Sequence, residues 1–344
     1  MMEDKDRLPE ESGEARIPTA EEAAPAPEAP VRKKKKKNKL RVAIFTCVEI
    51  VCLAVFAVAA FSLVRYYVEQ EQDKKLSGES SEIATRSDGE YDSTVNRDPT
   101  NSGGQDPSLP SDGAERNPVL PPYREDFTLD TLRYLVDKDL ARLASAYKNP
   151  EICGWFYVLG YNDTADRLTA CNQPVVQAKD NYYYLNYNVK LQADVNGSVY
   201  MDCCNDRQSV LNNRNMVLYA HARSYEKFGA VKSLNDSPEW AADERNHFIY
   251  YQTETETSIW RIFSWHIIDE DENYRQTEFA DDEAFIQYCT DLQKLNAIPG
   301  LKSYEFQKDD AIMTLSTCKG INTRNRVAVH AVLVAYARLD DLKK

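Results

Sequence analysis

The sequence predicts a mostly β domain carried behind one membrane-spanning helix. Three observations lead there. From about residue 152 onward, short apolar or aromatic runs alternate with polar loops, eight runs in fewer than 200 residues. Many short strands so closely spaced build a barrel or a sandwich. Residues 42–64 form a run of 23 with a single charge, Glu49. Residues 65–125, between the two, are rich in Ser, Asp, Gly, Asn and Pro and lack hydrophobic period.

In chain order, residues 1–31 are acidic and rich in Ala, Pro and Glu, a composition that cannot bury a core and stays disordered. A basic run from Arg32 to Lys39 follows and completes a tail of residues 1–41. Alone, such a run reads as a nucleic-acid patch. The chain as a whole has 42 Lys+Arg against 55 Asp+Glu, a net charge of −13, which argues against a nucleic-acid binder. The apolar run behind it decides the matter. At about 1.5 Å per residue, residues 42–64 reach about 35 Å, enough to cross a bilayer. No small-residue cleavage site stands out. The basic side faces the cytoplasm, so residues 65–344 lie outside the cell. Residues 65–125 read as a flexible extracellular linker with a root-mean-square reach of about 40 Å. The folded unit is then residues 126–344, large enough to bury its own core.

Within that unit, residues 126–147 predict a helix. Leu129, Leu132, Val136, Leu140 and Leu143 recur at spacings of three and four. Thr128 is the expected N-cap, and Asn149-Pro150 stops the helix. Strands are expected at 154–159, 174–177, 198–201, 216–221, 248–252, 258–268, 311–316 and 327–336. A helix-like stretch, 281–295, precedes the seventh of these.

The chemistry centres on the last two strands. Thr-Leu-Ser-Thr-Cys ends at Cys318, and Arg326 opens the next apolar run eight positions on. If the strands pair, a thiol faces a guanidinium at one end of a sheet. A nearby cation favours the nucleophilic thiolate and can stabilise an oxyanion. A nucleophilic Cys also needs a base. Of four histidines, His221 ends an apolar run and so lies at a strand end. Alternation puts His330 on the face of Arg326, but about 13 Å further along the strand. His247 and His266 carry no partner signal and read as structural. Eight cysteines are present; Cys47 and Cys52 lie in the apolar run, and Cys153 and Cys289 sit on apolar faces as packing residues. Pairing of Cys171 with Cys203 or Cys204 is left open. No CxxC pair occurs, so neither a zinc site nor any other metal or organic cofactor is implied by spacing.

The Cys318 block followed by Arg-Val-Ala-Val-His resembles the active-site signature of sortases, the cysteine transpeptidases of Gram-positive surfaces. Residues 149–155, 173–186, 197–202 and 215–221 are similar to further class B blocks, and the 281–295 stretch matches the helix that separates class B from class A. The similarity runs from about residue 126 to the C-terminus. It implies an eight-stranded β-barrel with an N-terminal helix and a helix inserted before the cysteine strand. It implies a single-pass membrane enzyme that cleaves a C-terminal sorting signal after Thr. Cys318 forms the thioester, His221 moves the protons and Arg326 holds the oxyanion. The acceptor is an amine of a lipid-linked peptidoglycan precursor, or a pilin amine in a pilus-polymerising enzyme. Asn181, Leu185, Tyr219, Tyr274, Ser316 and Thr317 match substrate-groove positions. Departures are Ala220-His221-Ala222 where the family favours Gly-His-Asn, Arg275 at an apolar groove position, and Lys319 where an acid can follow the cysteine. The two cations suggest an acidic or polar substrate residue. The rival reading is a cysteine peptidase acting on cell-surface peptides. Papain-like and related hydrolases place Cys before His, the reverse of the order here.

Overall fold

The computed structural model describes residues 39–85, 127, 132, 137–320 and 323–342. The disordered tail expected before residue 39 and the linker expected over 86–125 lie outside them. Helix α1, Lys39–Ala84, contains the long apolar run; its most apolar 18-residue window has a mean hydropathy of 2.6, long and apolar enough to cross a membrane.

Eight strands form a closed barrel: β1 Ile152–Asn162, β2 Arg167–Val176, β3 Val199–Met201, β4 Asn215–Tyr219, β5 Phe248–Gln252, β6 Glu256–Asp269, β7 Ile312–Cys318 and β8 Asn325–Arg338. Their order around the barrel is β1-β2-β3-β4-β7-β8-β6-β5. The β2/β3 and β4/β7 pairs are parallel and the rest antiparallel. All eight expected strands form. β1 and β2 run longer than their apolar cores, because pairing continues to the hairpin pair Asn162↔Arg167.

Alternation along each strand sorts side chains between two cores. Met216, Leu218, Met313, Leu315, Val327 and Val329 fill the barrel interior together with Trp260 and Trp265. Ile312, Ala328 and Val332 face outward and are covered by helix α3, Asp282–Lys294, through Phe285, Cys289 and Leu292. Asp281 caps α3 by accepting from the Ala284 N–H at 2.8 Å.

Two expectations are corrected here. The helix expected over 126–147 is not continuous: among the described residues of that span Leu132 is helical, residues 137–139 are not, and α2 runs Leu140–Tyr147. Asp139 is its cap, accepting from the Arg142 N–H at 2.9 Å. Lys138 lies outside it, bridged to Thr85. The expected cap Thr128 lies outside the described residues. The linker does not begin at residue 65 either: α1 continues to Ala84, and its last turns pack on the barrel. Ser77 donates to the Asn172 carbonyl at 3.2 Å. Asp73 and Lys227, both almost fully buried, form an ion pair. Ala84 joins Leu140, Leu143 and Trp155 in a third core.

Candidate active site

The site lies where β4, β7 and β8 end together. Antiparallel pairing of β7 with β8 sets Cys318 directly across from Arg326. Parallel pairing of β4 with β7 brings in the third residue. Its five pairs, from Asn215↔Ile312 to Tyr219↔Ser316, share one offset of 97 positions. Carried forward, that offset aligns Ala220 with Thr317 and His221 with Cys318. The first of these is secured by a side chain: Thr317 Oγ1 donates to the Ala220 carbonyl at 2.7 Å. Partners in register point to the same face, so Cys318 and Arg326 share the outer face of the barrel, and His221 follows two positions beyond the last paired residue of β4.

Each group is held by a neighbour. His221 Nε2 donates to the Leu185 carbonyl at 2.9 Å, which leaves Nδ1 for proton transfer. Burial pulls the His221 pKa below its ordinary value, the Leu185 carbonyl opposes that, and Arg223 and Lys227 reinforce it. The ring is therefore neutral at pH 7. Arg326 donates through Nη1 to the Thr323 carbonyl at 3.0 Å and pairs through Nη2 with Glu270. Glu270 also stands 3.7 Å from Arg324. Cys318 is a partly exposed free thiol, and no disulfide forms among the described residues.

The expected groove residues fall around this rim in different roles. Tyr219 donates to Asp202 Oδ2 at 2.7 Å and stacks on Tyr200. Burial and the Asp202 charge push its phenol pKa up. Asn181 spends both ends of its amide on the turn after β3, giving Nδ2 to Asp202 and accepting from the Cys203 N–H. Leu185 contributes its carbonyl to His221. Tyr274 is buried, with its hydroxyl 2.9 Å from Ser316 Oγ. Ser316 and Thr317 are buried too. Of the six, Tyr219 lines the adjoining cleft of about 590 Å³, with Glu270, Asp271, Glu272, Asn273, Arg275 and Gln276. Three carboxylates against Arg275 make that lining acidic in balance. Lys319 lies 5.7 Å from the Trp265 ring, and Arg275 covers the Tyr274 ring.

His330 is buried one layer away, its Nδ1 2.9 Å from Thr314 Oγ1 and its ring stacked on His266. His247 is buried against Trp240. None of these three reaches the Cys318 rim. The residue the sequence did not single out is Glu270. Its signal was weak: one acid in the run Asp269-Glu270-Asp271-Glu272, with no local feature marking which one meets Arg326.

The chain is similar to known proteins of one family. A family model described as the sortase domain matches residues 165–334. Sortase B of Staphylococcus aureus is 27% identical over 188 residues, 54% of this chain and 71% of that protein. A crystal structure of a Bacillus anthracis protein described as similar to sortase B is 32% identical, covering 56% of this chain and 83% of that one with a TM-score of 0.46. Sortase B of Clostridium perfringens is 25% identical, covering 56% and 99%, with a TM-score of 0.47.

Proposed function

Since this chain belongs to the sortase family, class B, and is a cysteine transpeptidase, we propose that Cys318, His221 and Arg326 carry its reaction on the C-terminal sorting signal of secreted proteins. The Cys318 thiolate attacks the Thr carbonyl of the Thr–X bond and forms a thioester. His221, which takes the thiol proton through Nδ1, returns it to the departing amine and then accepts one from the incoming amine. Arg326 donates to the oxyanion at each tetrahedral stage. The acceptor is the amine of a lipid-linked peptidoglycan precursor; in a pilus-assembling enzyme it is a pilin lysine. Residues 42–64 act as the membrane anchor, with the basic run from Arg32 to Lys39 on the cytoplasmic side and residues 126–344 as the extracellular catalytic domain. The direct pairing of Cys318 with Arg326, beside a β4/β7 register that ends two residues short of His221, is the observation that supports this reading most directly.

The test uses a sorting peptide with and without an amine acceptor. The wild-type chain yields an amide product, and a Cys318-linked acyl intermediate is trapped by mass spectrometry. Cys318→Ala yields neither. Product formation by Cys318→Ala, or hydrolysis unaffected by added amine, ends the assignment.

A further inference from the structure

A second thiol centre lies on the turn that follows β3. A carboxylate oxygen of Asp202 and the Sγ atoms of Cys203 and Cys204 all lie within 4.8 Å of one another. Both thiols are exposed, whereas those of Cys153, Cys171 and Cys289 are buried. The turn is tied down on all sides. The Asn205 N–H donates to the Asp202 carbonyl at 3.0 Å, and the Cys204 N–H to Asp202 Oδ1 at 2.8 Å. The Cys203 N–H donates to Asn181 Oδ1 at 2.8 Å. Buried Gln177 reaches both the Asp202 and Asn205 carbonyls, at 2.8 and 2.7 Å. Donor atoms already gathered on a fixed backbone lose little conformational freedom when they bind an ion.

We propose that Asp202, Cys203 and Cys204 form a binding site for a thiophilic divalent cation of the zinc or cadmium type. Two sulfurs select against calcium and magnesium, which take oxygen ligands. A tetrahedral ion with metal–sulfur bonds of about 2.3 Å sets its two sulfurs about 3.8 Å apart. The three donor atoms, all within 4.8 Å of one another, are gathered closely enough for that separation. One carboxylate oxygen makes the third ligand and water the fourth. Each thiol gives up its proton as its metal–sulfur bond forms, so binding releases two protons and strengthens as pH rises. The site touches the groove through Asp202, whose Oδ2 accepts from Tyr219 and Asn181. It does not depend on the proposed reaction at Cys318.

The experiment is a Cd²⁺ titration of the full-length chain in detergent micelles. Cys318→Ala, Cys47→Ala and Cys52→Ala are combined in it, so the 203–204 pair holds the remaining exposed thiols. The expected result is an ultraviolet thiolate-to-cadmium band that saturates at one equivalent, with two protons released. Cys203→Ser and Cys204→Ser each abolish the saturating band, and Asp202→Asn weakens binding at least tenfold. Circular dichroism reports whether each variant is folded. Absence of the band, its persistence in the Cys203→Ser/Cys204→Ser double variant, or equal affinity in Asp202→Asn overturns the site.

Discussion

Arg326 reaches the rim already engaged. Its Nη2 is paired with Glu270 and its Nη1 with the Thr323 carbonyl, so the direction of its remaining donors is set before any substrate arrives. A guanidinium fixed this way pays little reorganisation when an oxyanion forms beside it. Arg326→Lys removes the forked geometry and is expected to lower kcat/KM by about 10²–10³-fold. Glu270→Gln keeps an acceptor but drops the charge; a fall of about tenfold, mostly in kcat, is expected. Wild-type kinetics in Glu270→Gln would remove Glu270 from the mechanism. His221 offers a second check. Burial lowers its pKa from the ordinary 6.5, so the imidazolium, which cannot accept a proton, accumulates only below that pH. The acid limb of kcat/KM, which reports the free enzyme, is expected below pH 6.5. An acid limb above it contradicts a neutral His221. Cys318, His221 and Arg326 are legible in the sequence as candidates because each ends or begins an apolar run. Glu270 was not legible, because its partner is 56 positions away and pairing, not local pattern, selects it.

At the scale of elements, the informative case is the end of α1. Residues 65–84 read as coil because their apolar residues carry no helical period. The period is there, in polar ones: Glu69, Gln70, Asp73, Ser77 and Ser80 recur at one-turn spacing on the face turned to the barrel. Gln70 donates to the Arg223 carbonyl, Glu69 pairs with Arg223, and Ser80 lies 3.1 Å from the Tyr147 hydroxyl. Such a face shows its purpose only once its partners are in place, and they lie between 67 and 154 positions further along the chain. The α3 helix was legible for the opposite reason, since its cap Asp281 and its apolar stripe lie within the same 15 residues. The Asp73–Lys227 pair is the strongest test of the docked segment. Asp73→Ala leaves a buried ammonium uncompensated, a cost of about 3–5 kcal/mol. Hydrogen exchange of the amides from 70 to 84 should then accelerate well ahead of those in β6 and β8. Unchanged protection there would mean that the ion pair does not hold the helix end.

For the molecule as a whole, eight strands could be counted from the sequence but not ordered: the parallel β2/β3 and β4/β7 contacts are set by closure of the barrel. The layers packed around the barrel have an electrostatic consequence. Burial lowers the pKa of all four histidines, His221, His247, His266 and His330. His266 is pulled from 6.5 to about 4, with only Ser264 Oγ beside its Nδ1 and the His330 ring against its face. His330 is pulled well below its ordinary value by burial and by His266. The Nε2 atoms of both are buried without a hydrogen-bond partner. The sign follows from linkage. Between pH 6.5 and 4 the unfolded chain binds a proton at residue 266 that the folded chain does not, so folding stability falls as pH falls. A depression of this size corresponds to about 3 kcal/mol for His266 across that window. Stability should be full above pH 6.5 and should already decline at pH 5.5, before most carboxylates titrate. Chemical denaturation at fixed pH, comparing wild type with His266→Met, measures it: the variant should lose less stability per pH unit by up to about 1.4 kcal/mol. Equal slopes in the two proteins would show that residue 266 accepts its proton without opening the barrel.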